Sequence, residues 1–447
     1  MKRLVSQFLW FVASGFLAAG PSWAAVDIQS WTAPSGARVF FVESHALPMV
    51  DVQVDFAAGG ALDPADKAGV AALTRALLDG GAGALDEAAI SDRLADLGAR
   101  VGGGADDDRA SVSLRTLSSA AQRDAAVDLL RTLLTEPTFP VAVVDRERAR
   151  TLAGLKEAET RPDSSAARRF SAAIYGSHPY GNDPTQESVA RITREDLVAF
   201  HQGHYRAPGA SVTLVGDIDR GEAARIAQVL TAGLPTGEPP PPLAAPELPA
   251  ESVIRVAHPS AQAHILAGMP VLARDDPDYF PLLVGNYVLG GGGFVSRLTH
   301  EVRERRGLAY SAYSYLHPAQ VAGPFQIGLQ TKASQADLAL GVVNETVRGF
   351  LDKGPTAAEV AAAKSNIVNG FGLRLDSNRK ILDYVAMIGF YRLPLDWLEV
   401  YPKAVPKVTG ADIQDAFRRR IDPRHMVTVV VGGTEAQGDT PAPSAPK

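Results

Sequence analysis

Apolar positions along the chain fall into two periods, and together they predict alternating strands and helices. Residues 39–42 and 50–56 are short apolar blocks split by Ser44-His45-Ala46-Leu47-Pro48, and they read as a hairpin or an adjacent pair of strands. Residues 59–67 read as a loop, 110–117 as a further strand, and 212–217 and 427–433 as strands rich enough in valine to be buried. Between these blocks apolar residues recur every three to four positions across 69–79, 85–97, 119–134 and 141–159, which predicts amphipathic helices. The first is stopped by Gly80-Gly81 and the third before Pro137.

The pattern repeats. Ile192-Thr193-Arg194-Glu195-Asp196-Leu197 opens a capped helix that leads to the 212–217 strand. Val408-Thr409-Gly410-Ala411-Asp412-Ile413 does the same before 427–433, and Thr193 to Gly216 and Thr409 to Gly432 are both 23 residues apart. Helices at 119–134 and 141–159 match helices predicted at 335–351 and 356–373. Each copy is a domain of roughly 200 residues. The expected organisation is a first domain at 25–233, a proline-rich connector at 234–250, a second domain at 251–433 and a disordered tail at 434–447. So many prolines forbid a helical connector and let two domains face each other across a gap.

Composition narrows the class. The 447 residues, 46% hydrophobic and 21% charged, are enough for two cores, and a net charge of -6 excludes a nucleic-acid-binding surface. Lys2 and Arg3, an apolar run to Ala19 and then Pro21-Ser22-Trp23-Ala24 make residues 1–24 a secretory signal peptide, which places the mature protein in the periplasm. No other segment approaches the roughly 20 apolar residues of a membrane span. With no cysteine, the exported chain has neither disulfides nor a thiolate metal site.

The densest chemistry lies between residues 290 and 316. Four glycines, Gly290, Gly291, Gly292 and Gly293, break the chain. Phe294, Val295, Leu298 and Val302 then follow at helical spacing, Gly307 closes the helix, and 308–316 reads as a strand. A helix-to-strand turn brings Arg303 and Tyr310 together, a pair suited to a peptide carbonyl. The plainer reading is a solvated helix charge and a half-buried strand aromatic.

Ser296-Arg297-Leu298, then Arg303-x-x-x-Gly307-Leu308-Ala309-Tyr310-Ser311, closely resemble the second half of the inverted-zincin peptidases: insulysin, pitrilysin and the mitochondrial processing peptidase. Tyr175-Gly176-Ser177-His178-Pro179-Tyr180-Gly181 and Phe200–Asp217 carry the same likeness, which covers almost all of the mature chain. It implies an α+β fold of two homologous domains, each a mostly antiparallel sheet packed with helices, forming half of a clam-shell chamber. It implies that Arg303 and Tyr310 grip the substrate backbone, and that Gly290, Gly291, Gly292 and Gly293 form a substrate-handling loop.

The family's zinc motif, His-x-x-Glu-His with a glutamate ligand some 75 to 80 residues later, falls here on Ala72, Arg75, Ala76 and Gly154. None of these can bind or activate anything. His201 and His204 have ligand types at i and i+3, but they sit in a stretch that is structural in the family, and His178 also reads as structural. The resemblance therefore implies a noncatalytic, substrate-binding subunit that binds no metal or cofactor itself. Zinc is expected on a homologous partner carrying His-x-x-Glu-His, in a heterodimeric periplasmic endopeptidase acting on peptides. The alternative is a zinc-free peptide-binding or assembly protein with no proteolytic partner. A metal-independent hydrolase has no support, since there is no Gly-x-Ser-x-Gly and no cysteine.

Overall fold

The computed structural model describes residues 26–238 and 240–433. The expected signal peptide and tail lie outside the described residues. In the first half the chain forms β1 (Gln29–Thr32), β2 (Arg38–Glu43) and β3 (Met49–Phe56), then a small ribbon of β4 (Gly81–Ala82) and β5 (Leu85–Asp86), then β6 (Arg100–Ala105), β7 (Ala110–Leu117) and β8 (Ser211–Gly216). Apart from the ribbon, these strands make one sheet in the order β1-β2-β8-β3-β7-β6. The second half forms β9 (Ser252–Val256), β10 (Gln262–Leu272), β11 (Ala309–Leu316), β12 (Gly323–Lys332) and β13 (Val427–Val431), ordered β11-β12-β10-β13-β9.

The two orders are the same topology. Strands β2, β3, β6, β7 and β8 occupy the places that β9, β10, β11, β12 and β13 occupy in the second sheet, with β1 added at one edge. Pairing is antiparallel except for β2 with β8 and β9 with β13, again at equivalent places. The repeat seen in the sequence spacing is thus a repeat of topology.

Fourteen α-helices accompany the sheets among the described residues: α1 (Val70–Ala76), α2 (Glu87–Asp96), α3 (Ala120–Thr135), α4 (Val141–Glu159), α5 (Pro162–Tyr175), α6 (Gln186–Ala190), α7 (Arg194–His204) and α8 (Arg220–Thr231), then α9 (Tyr279–Asn286), α10 (Ala336–Lys353), α11 (Ala357–Asn369), α12 (Asn378–Phe390), α13 (Trp397–Ala404) and α14 (Gly410–Arg420). The repeated Thr-x-x-Asp signatures are reciprocal capping boxes, Thr193 with Asp196 at α7 and Thr409 with Asp412 at α14.

Two expectations are corrected. β2 and β3 are not a hairpin, because β8 lies between them, parallel to β2 and antiparallel to β3. Every residue of β8 is buried, so this strand needs a neighbour on both edges and a layer on both faces. Nor do the halves merely face each other across a gap. Val39 and Phe41 of β2 point into the first-half core with Val212 and Leu214, whereas Phe40 and Val42 alternate to the opposite face and join the core of the second half with Val215. That opposite face is covered by α12, from the second half, through Leu382, Val385 and Ile388. In return α5, from the first half, packs Ala166, Phe170 and Ile174 on Val427, Val429 and Val431 of β13. Each half lends the other a helix.

The exchange demands close approach at two glycines. A Cβ at Gly268 would stand 1.9 Å from the carbonyl oxygen of Phe325 and 3.0 Å from the Phe170 ring, and one at Gly389 would stand 2.6 Å from the Phe40 ring. The β6–β7 turn adds a polar clasp. Buried Asp108 accepts hydrogen bonds from the Tyr180 hydroxyl, from the Tyr391 hydroxyl (2.8 Å) and from the Gln320 amide (2.9 Å), the last two across the halves. The connector is extended and pinned, its carbonyls at Ala244 and Pro249 bonded to His178 Nε2 (3.0 Å) and His425 Nδ1 (2.7 Å).

Gly268→Ala should destabilise the chain by about 1–3 kcal/mol through overpacking, and Phe170→Ala by about 3–5 kcal/mol through the cavity it leaves. Urea unfolding midpoints at fixed pH check both; unchanged midpoints would show that the exchanged helix contributes little.

Candidate substrate-binding site

The site is built beside β11, one of the two terminal strands of the second sheet. Helix α9 runs on through a wide turn, Tyr287–Gly291, closed by a bond from the Gly292 amide to the Tyr287 carbonyl (2.8 Å). Asn286 locks this turn to β11: its Nδ2 donates to the Ser314 carbonyl (3.2 Å) and the Ser314 hydroxyl donates to its Oδ1 (2.6 Å), both buried. A Cβ on Gly290 would meet the Ser314 amide and hydroxyl at 2.4 Å, so Gly290 is required for this contact. Gly291 and Gly292 pack on Asn286 and Tyr287, while Gly293 adopts φ +61° with open space around it. The four glycines therefore divide into three that allow close packing and one that turns the chain.

The expected continuous helix from Phe294 is corrected. Gly293–Val295 is a tight turn, held by the buried Ser296 hydroxyl donating to the Gly293 carbonyl (2.8 Å), and Ser296 itself is extended. Phe294 and Val295, each 70% exposed, do not join the apolar stripe, whereas Leu298 and Val302 do. The helix that follows is also wide, with the Arg305 amide bonded to the His300 carbonyl (3.0 Å), and Gly307 at φ +59° ends it as expected.

Arg303 and Tyr310 come together here. The guanidinium carbon lies 4.8 Å from the centre of the Tyr310 ring and 4.8 Å from that of Phe294, so the cation lies over two aromatic rings. Between Ala309 and Ala312 the pairing of β11 with β12 gains one residue, and this bulge turns Tyr310 outward to 83% exposure. Among the described residues the Arg303 side chain makes no ion pair or hydrogen bond. The nearest acids in sequence are engaged elsewhere, Glu301 with Arg305 (3.1 Å) and Arg306 (2.5 Å), Glu304 with His300 (2.9 Å). Behind the site Arg297 binds both oxygens of Glu359 (2.7 Å each). That bidentate bond holds the Glu359 carboxyl down at about 2.

The positions of the family's zinc motif do not fit a metal. Ala72 and Ala76, at i and i+4, share the exposed face of α1 and offer only methyl groups. Arg75 turns the other way and is buried, its Nε donating to the Ser111 carbonyl (2.6 Å) and its Nη2 to the Gly102 carbonyl, so it ties α1 to β7 and β6. A fixed cation there opposes any divalent ion. Gly154 lies exposed on α4. His201 donates from Nε2 to the Leu134 carbonyl (2.9 Å) and burial lowers its pKa, which leaves the structural reading of the His201–His204 pair in place. Among the described residues no group of histidine and acidic side chains is arranged to hold a metal.

Comparison with known proteins gives the family. Residues 38–186 match the family model for insulinase-type M16 peptidases, and 191–367 match that of the M16 inactive domain. A solved M16 inactive domain from Pseudomonas fluorescens is 37% identical with a TM-score of 0.89, covering 92% of this chain and 99% of that one. The chain belongs to the M16 peptidase family. Another M16 relative, described as a non-peptidase homologue from Helicobacter pylori, is 25% identical over 88% of this chain and 91% of its own length. An uncharacterized zinc protease of Streptomyces coelicolor is 28% identical, and the match spans 58% of each protein.

One feature of the site and one of the junction between the halves escaped sequence reasoning. Phe294 was hidden in helical spacing, and the β6–β7 clasp had as its one signal three consecutive aspartates and an arginine before a predicted strand. Two measurements test this M16 site. Because the folded Glu359 carboxyl is held below its unfolded value, its contribution is present above about pH 4.3 and lost as pH falls toward about 2; Glu359→Gln should therefore lose stability at pH 6 and much less at pH 2.5, read as urea midpoints. Metal analysis of the purified chain should find far less than one zinc per molecule, and a tight one-to-one content would overturn the assignment of α1 and α4.

Proposed function

We propose that this M16 chain is the noncatalytic, substrate-binding member of a pair, presenting Arg303 and Tyr310 to a peptide while a homologous zinc-bearing chain supplies the metal chemistry. The observation that carries the reading is the contrast between its two halves. The first half has methyl groups and a buried, backbone-bound arginine where a metal would be held. The second half keeps an arginine with unused donors beside an exposed phenol on a terminal strand of its sheet. The relative described as a non-peptidase homologue supports the first part of that contrast.

Peptide binds as an added strand, since a terminal strand offers backbone donors and acceptors and reads sequence weakly. Arg303 and Tyr310 hold the carbonyl of the bond to be cut and donate to the oxygen on which charge gathers, an effect typically worth about 2.7–4 kcal/mol per donor. Specificity is accordingly broad and set by the size of the chamber that the two chains enclose. The pair works in the periplasm, after removal of residues 1–24.

The purified chain should show no turnover of peptides and should gain it when the zinc-bearing homologue from the same organism is added. In that complex Arg303→Ala should lower kcat/KM on the order of a hundredfold, and Tyr310→Phe should also slow it. Chelator-sensitive cleavage by the chain by itself would overturn the proposal. A stable homodimer that binds peptide and is not activated by the zinc-bearing homologue would favour a peptide-binding protein with no proteolytic partner.

A further inference from the structure

Phe294 sits at the tip of the glycine-rich loop, 70% exposed, in a position where neither core packing nor a hydrogen bond explains an aromatic side chain. What it does touch is Arg303, whose guanidinium carbon lies 4.8 Å from the centre of the Phe294 ring and 4.8 Å from that of the Tyr310 ring. A guanidinium lying over two ring faces keeps its N–H groups in its own plane, directed away from the rings. We infer that Phe294 is a positioning residue, the second jaw of an aromatic clamp that fixes the direction of the Arg303 donors toward a substrate carbonyl at the β11 edge. This rests on the reading of Arg303 as a substrate-binding group.

Three local features support the clamp. Gly293 at φ +61° is in the left-handed region that favours glycine, and it redirects the chain so that the next side chain faces Arg303. The buried Ser296 hydroxyl closes the turn beneath Phe294, so the ring is carried on a braced segment. On the other side the β11 bulge swings Tyr310 out to meet the same cation. The neighbouring acids Glu301 and Glu304 are occupied by Arg305, Arg306 and His300, so the clamped guanidinium keeps its donors for an incoming oxygen. The glycine loop thus acts on the substrate through Arg303, by presenting a ring.

The test has two arms. In the full chain labelled with 15N-arginine, the Arg303 Nε–Hε signal, identified by its loss in Arg303→Lys, should sit in the ring-current-shifted range. Phe294→Ala should move it toward the free-arginine position and Phe294→Trp should keep it displaced; the exposure of Phe294 leaves both variants free to fold. In the complex with the zinc-bearing homologue, Phe294→Ala should lower kcat/KM about two- to fivefold, the range of one partly exposed cation–π contact, with Phe294→Trp restoring it. An unmoved signal in Phe294→Ala overturns the clamp. A moved signal with unchanged turnover, while Arg303→Ala still slows the complex, overturns the positioning role but leaves the substrate-binding reading intact. If Arg303→Ala itself leaves turnover unchanged, that reading and the positioning role both fall, and the spectral arm still decides whether the clamp exists.

Discussion

The reciprocal loan of α5 and α12 is the constraint on which the rest of the molecule depends. A sheet strand with apolar side chains on both faces cannot be stable with one face open to water, since each exposed valine or phenylalanine forgoes roughly 1.5–3 kcal/mol of burial. In each half one face of the central strands is covered by a helix of the other half. Phe40, Val42 and Val215 are covered by α12, and Val427, Val429 and Val431 by α5. Gly268 and Gly389 are where the loaned helices come closest. The Asp108 clasp adds directional bonds across the same junction.

That rigid frame fixes two strand edges at equivalent topological places, β6 in the first sheet and β11 in the second. Equivalent places have been put to different uses. Next to β6, α1 turns its buried arginine into the backbone of β6 and β7, which converts a potential metal position into a structural tie. Next to β11, two wide helical turns, a left-handed glycine and a strand bulge assemble a cation over two aromatic rings and leave its hydrogen-bonding capacity unspent. Departures from regular helix and strand concentrate at this second edge, where side chains must be aimed outward rather than packed.

The electrostatics around the arginine follow from competition. Arginines 297, 305 and 306 each have an acidic partner, and the bidentate bond from Arg297 to Glu359 ties the segment below the glycine loop to α11. Arg303 differs in being held by π faces, which attract the charge without consuming its donors. A group retained in that condition is suited to bind an oxygen supplied from outside the chain.

The sequence by itself determined the periodic elements and their repetition: the blocks at 110–117 and 141–159 coincide with β7 and α4, and the paired Thr-x-x-Asp caps announced equivalent helices 216 residues apart (Thr193 and Thr409). These are local matters, set by side-chain periodicity and by donors within one turn of chain. It also carried the family likeness and the loss of the metal-binding side chains, which depend on residue identity. Only the tertiary structure decided that β8 separates β2 from β3, that each half borrows a helix, that Arg75 is buried in a strand pair and that Phe294 leaves the apolar stripe to face Arg303. Each of those outcomes depends on contacts between segments distant in sequence or on a bulge and a left-handed glycine, and periodicity along the chain holds no record of either.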